Sequence, residues 1–221
     1  MLIEELMVLA NVAAAKALKE YSCMYRIHEE PSAEKVSNLK INLKGLNIRY
    51  FFNDDKALTP YDFKKIISKM REVPGSENLM NVILRSQSQA RYGSQNLGHF
   101  GLALDHYAHF TSPIRRYADL LVHRAVFDEL NGVKPKHGND LRETCKHISK
   151  TERQSIDAER NSTKYFQVIF VRDSIGEEFE GTITGLTEWG MYVEMNDNKC
   201  EGMVSLKEIS GDTYVFDNEK Y

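Results

Sequence analysis

Residues 99–124 read HFGLALDHYAHFTSPIRRYADLLVHR, and the Ser112-Pro113 pair inside this stretch predicts the start of a helix. Serine is a preferred N-cap residue, and proline fits the first helical position because its missing N–H has no intrahelical partner there. Arg115 and Arg116 then fall in the first turn, at the positive end of the helix dipole, where cations are disfavoured. The stretch therefore raises the question of what two arginines do at this position.

Two explanations of the arginine pair are open from the residues alone. A phosphate or carboxylate at the helix N-terminus would accept hydrogen bonds from backbone N–H groups and from guanidinium groups. Alternatively, Arg115, Asp119 and His123 have the i, i+4, i+8 spacing of a surface charge ladder. The neighbouring His106-x-x-His109 pair lacks a third ligand with convincing spacing, so no metal site is predicted.

Apolar periodicity and capping signals predict helices on both sides of this stretch. The N-terminal helix is expected to bury Leu2, Leu6, Leu9 and Ala13, which recur at spacings of four, three and four. A second helix is predicted to start at Thr59-Pro60, with Ile66, Ile67 and Met70 on its buried face. Three more helices are predicted: one over Glu77–Tyr92, one from Ser112 to Asn131-Gly132, and one over Asn139–Arg172.

Two glutamates lie on the apolar stripe of the last of these helices. Glu152 and Glu159 share that stripe with residues such as Cys145 and Ile148. A carboxylate on an inward face is costly unless it is paired. Either these glutamates have partners or a use, or the stripe rotates to the surface midway along the helix.

The character of the sequence changes at Gly176, where frequent glycines, β-branched and aromatic residues predict short antiparallel strands. Residues 176–221 carry a net charge of −8, against +5 for the rest of the chain. A helical unit followed by a strand-rich unit gives an α+β chain with domains at 1–174 and 175–221.

Composition places the chain in a reducing compartment. The three cysteines, Cys23, Cys145 and Cys200, form neither a disulfide framework nor a CxxC pair. Glu4 and Glu5 stand where a secretory signal would carry positive charge, and no segment is apolar and long enough to span a membrane. A cytoplasmic protein without a membrane partner is expected.

Several motifs resemble the RNB (ribonuclease II/ribonuclease R) family of exoribonucleases. Residues 99–124 closely resemble the signature near the end of the RNB catalytic domain. LIEELMVLANVAAAKAL (2–18), YRIHEEPSAEKV (25–36) and VILRSQSQARY (82–92) also look like this family, and the segment from Gly176 resembles an S1-type OB fold. The resemblance covers nearly the whole chain.

The resemblance implies hydrolysis of single-stranded RNA from its 3′ end to nucleoside 5′-monophosphates, with Mg²⁺ held by aspartates. It assigns Arg115 to the scissile phosphate, Arg116 to a second phosphate contact, and Glu5 and Glu159 to the neighbourhood of the 3′-terminal nucleotide. Residues 117–123 are expected to hold the helix rather than to touch substrate. A monomer, associated with RNA-decay or ribosome-linked machinery, is expected.

In the S1-type segment the resemblance places Trp189 and Tyr192 where bases stack. Tyr192 alternates with Met191 and Val193, so we expect its ring to face outward. Ser205 stands where the family often has histidine, which puts one polar RNA contact in doubt.

The metal-binding aspartates of the family cannot be assigned in this sequence. The resemblance therefore implies the C-terminal part of an RNB domain followed by an incomplete S1-type domain, inactive by itself. Two other functions remain open, a non-catalytic RNA-binding module and a helical scaffold protein.

Overall fold

The computed structural model describes residues 2–21, 23–45, 48, 50–52, 57–72, 80–135, 140–209, 214 and 216. It divides into two compact units, Met1–Leu39 with Tyr50–Arg153, and Lys40–Arg49 with Gln154–Tyr221. The predicted α+β class is confirmed, whereas the predicted domain boundary at residues 174/175 stays a prediction.

Six α-helices, two 3₁₀ turns and five strands follow one another along the described residues. They are α1 (Leu2–Ala17), β1 (Tyr25–Ile27), α2 (Ala33–Gly45), α3 (Pro60–Arg71), α4 (Met80–Ser86), β2 (Arg91–Gly93), a 3₁₀ turn (Phe100–Leu102), α5 (Tyr117–Leu130), α6 (Leu141–Val171), a 3₁₀ turn (Arg172–Ser174), β3 (Gly181–Leu186), β4 (Gly190–Met195) and β5 (Glu201–Ser205). None of these described helices is long and apolar enough to cross a membrane.

Helix α1 buries a different face from the one predicted. Leu2, Leu6 and Leu9 are exposed, and the buried residues are Asn11, Ala14, Ala15 and Leu18. Helix α1 packs against α5, and both contribute alanines to one hydrophobic cluster, Ala118 and Ala125 on the α5 side. Small side chains let two helices approach closely, so the alanine face, rather than the leucine face, lies at this contact.

Local signals at α3 and at the end of α5 are confirmed. Thr59 caps α3 in a capping box with Asp62, and Pro60 is the first helical residue. Ile66 and Met70 are buried as predicted, Ile67 is half-buried, and Phe63 adds to the buried face. Helix α5 ends at Leu130, where Asn131 is the C-cap.

The helix predicted over Glu77–Tyr92 is confirmed over Met80–Ser86 and is wrong over residues 87–92. Residues 77–79 lie outside the described residues, α4 covers only Met80–Ser86, and Arg91–Gly93 is strand β2. Strand β2 pairs antiparallel with β1, so that Tyr25 lies opposite Gly93. A Cβ atom at Gly93 would collide with Ile27 Cδ1, so a larger residue there would force the Ile27 side chain to move.

Helix α6 confirms the long helical prediction over Leu141–Val171, with Asn139 outside the described residues. Its apolar stripe is buried at Cys145, but Phe166 and Phe170 are exposed. The two glutamates behave differently. Glu152 is half-buried and forms an ion pair with Arg26, with 2.7 Å between Arg26 Nη1 and Glu152 Oε2. Glu159 is exposed.

The second unit contains the predicted short antiparallel strands, in the order β3-β4-β5. The β3–β4 register shifts between Ile183 and Gly185, which indicates a bulge at that point. Of the segment beyond β5, residues 210–213, 215 and 217–221 lie outside the described residues.

Candidate functional site

The Ser112–Arg116 segment is a turn and not the first turn of a helix. Ser112 O accepts N–H bonds from Arg115 (3.4 Å) and Arg116 (3.1 Å), and α5 begins only at Tyr117. Arg116 itself is the N-cap, with extended backbone angles of φ −125° and ψ 114°. The prediction of a Ser112 cap with Pro113 at the first helical position is therefore wrong.

Asp119 supplies the physical reason for this shift. Its side chain is fully buried, and its Oδ1 accepts the backbone N–H of Ser112 at 2.8 Å. A buried carboxylate needs hydrogen-bond donors and a counter-charge. Asp119 obtains one donor from the Ser112 N–H and two more from Arg116, whose extended backbone interrupts the helix so that α5 starts at Tyr117.

Arg116 provides the counter-charge. Its Nε donates to Asp119 Oδ2 and its Nη2 to Asp119 Oδ1, both at 2.8 Å, which makes a two-bond pair. The Arg116 side chain is only 20% exposed. Asp119 is thus paired with Arg116 rather than with Arg115, and His123 Nε2 bonds to Phe110 O instead. The surface ladder of Arg115, Asp119 and His123 is not formed, so that alternative is wrong.

Arg115 has the opposite environment. It is exposed, and its neighbour Ile114 is 102% exposed. Within the described part of the chain, its guanidinium has no hydrogen bond or ion pair. The turn therefore exposes the Arg115 guanidinium, which has no partner among the described residues, next to the Arg116 guanidinium, which is paired with Asp119.

Side chains from two helices fix the segment that leads into this turn. On α1, the buried Asn11 accepts the Phe110 N–H at 2.9 Å and donates to the Tyr107 hydroxyl at 3.1 Å. On α5, His123 Nε2 donates to Phe110 O at 2.7 Å, and its ring stacks on the Phe110 ring at 4.0 Å and 7°. A loop whose backbone groups are bonded on both sides holds the Arg115 turn in one geometry.

A neutral aromatic cluster lies next to the turn. The Tyr92 hydroxyl and His109 Nδ1 are 2.8 Å apart. Burial, together with charge repulsion from Arg116 and Arg26, lowers the pKa of His109 to about 3. Burial likewise raises the pKa of Tyr92 to about 12. These groups are therefore uncharged near neutral pH and leave the charge of the region to the arginines and their carboxylate partners.

The two predicted acidic site residues are both exposed. Glu5 lies in the first turn of α1, and Glu159 lies on α6. Glu5 forms no hydrogen bond with Arg115 in the described structure. The two glutamates belong to different compact units, and their roles stay predictions.

The aromatic residues predicted to stack on bases are accessible in the second unit. Trp189 is 71% exposed and Tyr192 is 37% exposed, the most exposed position of β4, as expected. Tyr192 lies opposite Gly185 on β3, which has no side chain to cover the ring. Ser205 Oγ accepts the N–H of Lys207 at 3.3 Å.

No role is predicted for Asn11 from the sequence, whereas Asp119 and His123 are predicted either to form the surface ladder with Arg115 or to hold the helix. A signal for Asn11 was available, because a polar residue inside an alanine-rich helix needs a partner if it is buried. For Asp119, the burial that decides its partner was not readable from spacing.

Among the residues that the structure describes, no group of three or more His, Cys, Asp or Glu side chains is arranged to hold a metal ion. These described side chains therefore do not fit the magnesium site that the resemblance implies.

The two parts of the chain each match a known domain family. Residues 1–132 match the RNB domain family, and residues 172–221 match the S1 RNA binding domain family. The chain therefore belongs to the RNB family of exoribonucleases.

Individual relatives agree with this family. Ribonuclease R of Aquifex aeolicus is 42% identical over 98% of this chain. Mycoplasma genitalium RNase R, solved in complex with ribose methylated single-stranded RNA, superposes with a TM-score of 0.88 at 32% identity over 99% of this chain. Yeast Ssd1, a pseudonuclease, shares the fold alone, with a TM-score of 0.71 at 19% identity over 92% of this chain and 26% of its own. This chain spans 31% of the Aquifex relative and 35% of the Mycoplasma chain.

Proposed function

We propose that this chain acts in the hydrolysis of single-stranded RNA from its 3′ end to nucleoside 5′-monophosphates. The observation that carries the proposal is the exposed, unengaged Arg115 on a turn that side chains of α1 and α5 hold in place. Membership of an exoribonuclease family and similarity to an RNase R solved with single-stranded RNA support it.

Arg115 would bind the non-bridging oxygens of the scissile phosphate. Charge on these oxygens is redistributed as the phosphodiester bond breaks, and a fixed guanidinium stabilises that charge without having to reorganise. A guanidinium also matches the phosphate with two parallel N–H donors, which an ammonium does not. Arg115 is therefore expected to act mainly on the rate of the chemical step.

The finer parts of the proposal follow from the resemblance. Magnesium is the expected metal. Glu5 and Glu159 are proposed to lie near the 3′-terminal nucleotide, and the boundary between the two domains is proposed at residues 174/175. A monomer in the cytoplasm, working with RNA-decay or ribosome-linked machinery, completes the proposal.

The test uses the complete gene product with Arg115→Ala and Arg115→Lys. Single-turnover release of mononucleotides from labelled single-stranded RNA should fall about 10²–10³-fold in Arg115→Ala. Arg115→Lys should recover only part of the rate, and RNA affinity should change little because many backbone contacts share it. Arg142, an exposed arginine at the start of α6, gives the control Arg142→Ala. An Arg115→Ala protein that cuts at the wild-type rate contradicts the proposal.

A second candidate function is RNA binding without cleavage. The observation that favours it is the exposure of Trp189 and Tyr192 on the S1-type sheet. The same assay separates the two functions. A purified wild-type complete gene product that binds single-stranded RNA, yet releases no mononucleotides with magnesium present, supports the binding module and contradicts the enzyme.

A further inference from the structure

We propose that Arg116 is a positioning residue and not an RNA ligand: with Asp119 it locks the Ser112–Arg115 turn that presents Arg115. This inference deepens the proposed function and rests on it. It replaces the second phosphate contact that the sequence predicts for Arg116.

The first step is the state of the Arg116 side chain. Two of its three guanidinium nitrogens, Nε and Nη2, donate to the two carboxylate oxygens of Asp119. An incoming phosphate would have to compete with a fully buried carboxylate for these donors. Losing the pair would leave Asp119 buried and uncompensated, which is more costly than losing an exposed ion pair. Arg116 is therefore committed to the protein.

The second step connects this pair to the turn. Asp119 Oδ1 accepts both the Arg116 Nη2–H and the Ser112 N–H, each at 2.8 Å. Asp119 thus joins the first residue of the turn to the residue that follows it. If Arg116 were lost, Asp119 would reorient toward other donors and release the Ser112 N–H. The turn, and with it the Arg115 side chain, would lose its fixed position.

The third step is the contrast between the two adjacent arginines. Arg115 is exposed, and Arg116 is only 20% exposed in an extended conformation ahead of α5. Because the charge of Arg116 is already balanced by Asp119, the turn offers RNA one uncompensated positive charge. Only one of the two arginines should therefore contribute to the salt dependence of RNA binding.

The geometry also explains why residue 116 is an arginine and not a lysine. The planar fork of arginine donates two parallel hydrogen bonds to one carboxylate, whereas a lysine ammonium is a point charge that fixes no orientation. Arg116→Lys therefore keeps the positive charge and loses the two-bond contact with Asp119 that holds the turn. A residue that merely attracts phosphate would tolerate this change.

The experiment is a double-mutant cycle in the complete gene product, with Arg115→Ala, Arg116→Lys and the combined variant. Single-turnover cleavage and the affinity for a labelled single-stranded RNA are measured between about 50 and 200 mM salt. Arg116→Lys should lower the cleavage rate at saturating RNA by about tenfold or more and leave the affinity and its salt slope unchanged. In the Arg115→Ala background it should cost less than about twofold further, because Arg116 acts through Arg115.

Asp119→Asn is the second variant, since it keeps the Oδ1 acceptor for Ser112 and removes the charge that holds Arg116. It should show the same dependence on Arg115. A merely structural role for Arg116 would instead lower the rate equally in both backgrounds, in parallel with a loss of thermal stability. A phosphate-contact role would leave Arg116→Lys near wild type, and Arg116→Gln would reduce the salt slope by about 0.7. Either result overturns the inference.

The outcomes also separate this inference from the proposed function. If Arg115→Ala cleaves at the wild-type rate, the proposed function fails, and the positioning role fails with it. If Arg115→Ala is slow and Arg116→Lys is not, only the positioning role is overturned.

Discussion

Replacing Asn11 with alanine tests the network that holds the Arg115 turn. Asn11 is only 4% exposed and bonds to two groups of the 107–110 segment, the Phe110 N–H and the Tyr107 hydroxyl. Alanine removes the side chain to which both groups are hydrogen-bonded, and a buried polar group left unsatisfied costs about 1–3 kcal/mol. The Tyr107 hydroxyl can rotate, so we expect a total loss of about 2–4 kcal/mol of unfolding free energy.

A matched control removes the effect of helix propensity. Alanine is a better helix former than asparagine by up to about 0.7 kcal/mol, and this gain applies to any helical asparagine. Asn161 is an exposed asparagine within α6 and has no hydrogen-bonded side-chain partner in the described structure. Asn161→Ala should therefore be neutral or slightly stabilising, and the difference between the two variants isolates the buried hydrogen bonds.

The assay is urea unfolding of the complete gene product, together with amide hydrogen exchange at Phe110. In Asn11→Ala the Phe110 amide should exchange faster, while amides of α3 should keep their wild-type rates. Cleavage of single-stranded RNA should slow as well, because the turn that carries Arg115 is no longer bonded to α1. If Asn11→Ala is as stable as Asn161→Ala, the network does not hold the segment and the reasoning is wrong.

Three further predictions follow from the same structure. Burial holds the pKa of folded His109 at about 3, below its ordinary 6.5, so the unfolded chain binds more protons between these values. The free energy of unfolding should therefore fall as the pH is lowered from about 7 to 4, and urea titrations of His109→Gln should show a shallower fall. Trp189→Ala should weaken binding of single-stranded RNA by about 1–3 kcal/mol in a fluorescence titration, while Phe127→Ala, an exposed aromatic on α5, should not. The 221-residue polypeptide by itself is expected to release no mononucleotides from RNA with magnesium, because the resemblance places the metal-binding aspartates outside the motifs found here. Release that survives a mock purification would contradict this expectation.

The parts of the fold that depend on neighbouring residues were predictable. The Thr59-Pro60 start of α3 and the Asn131 end of α5 are set by hydrogen bonds within a few residues, so the sequence contains their cause. The exposed Tyr192 on β4 follows from strand alternation in the same way.

Elements whose conformation depends on distant partners were less predictable. Arg91 and Tyr92 have no helix-breaking signal of their own, yet with Gly93 they form β2 because β1, more than sixty residues earlier, offers a strand edge. The leucines of α1 outrank its alanines in hydropathy, but the alanines meet α5 because they permit close approach. Both errors arise because the sequence pattern is local, whereas contacts with distant residues determine the β2 strand and the buried face of α1.

Contacts that the sequence pattern does not reveal also decide the candidate site, where they determine which arginine is available to a phosphate. The surface-ladder explanation pairs Asp119 with Arg115, because the two residues have the i, i+4 spacing of neighbours on one helix. In the structure Asp119 is completely buried, α5 starts at Tyr117, and Arg116, three residues before Asp119, is its partner. Spacing cannot distinguish these pairings, because i+3 and i+4 neighbours are both within reach on a helix surface. The backbone distinguishes them: Arg116 is the N-cap of α5, and from that position its guanidinium donates two hydrogen bonds to the buried Asp119 carboxylate. The arginine left for a phosphate is therefore Arg115, the residue that the surface ladder pairs with Asp119.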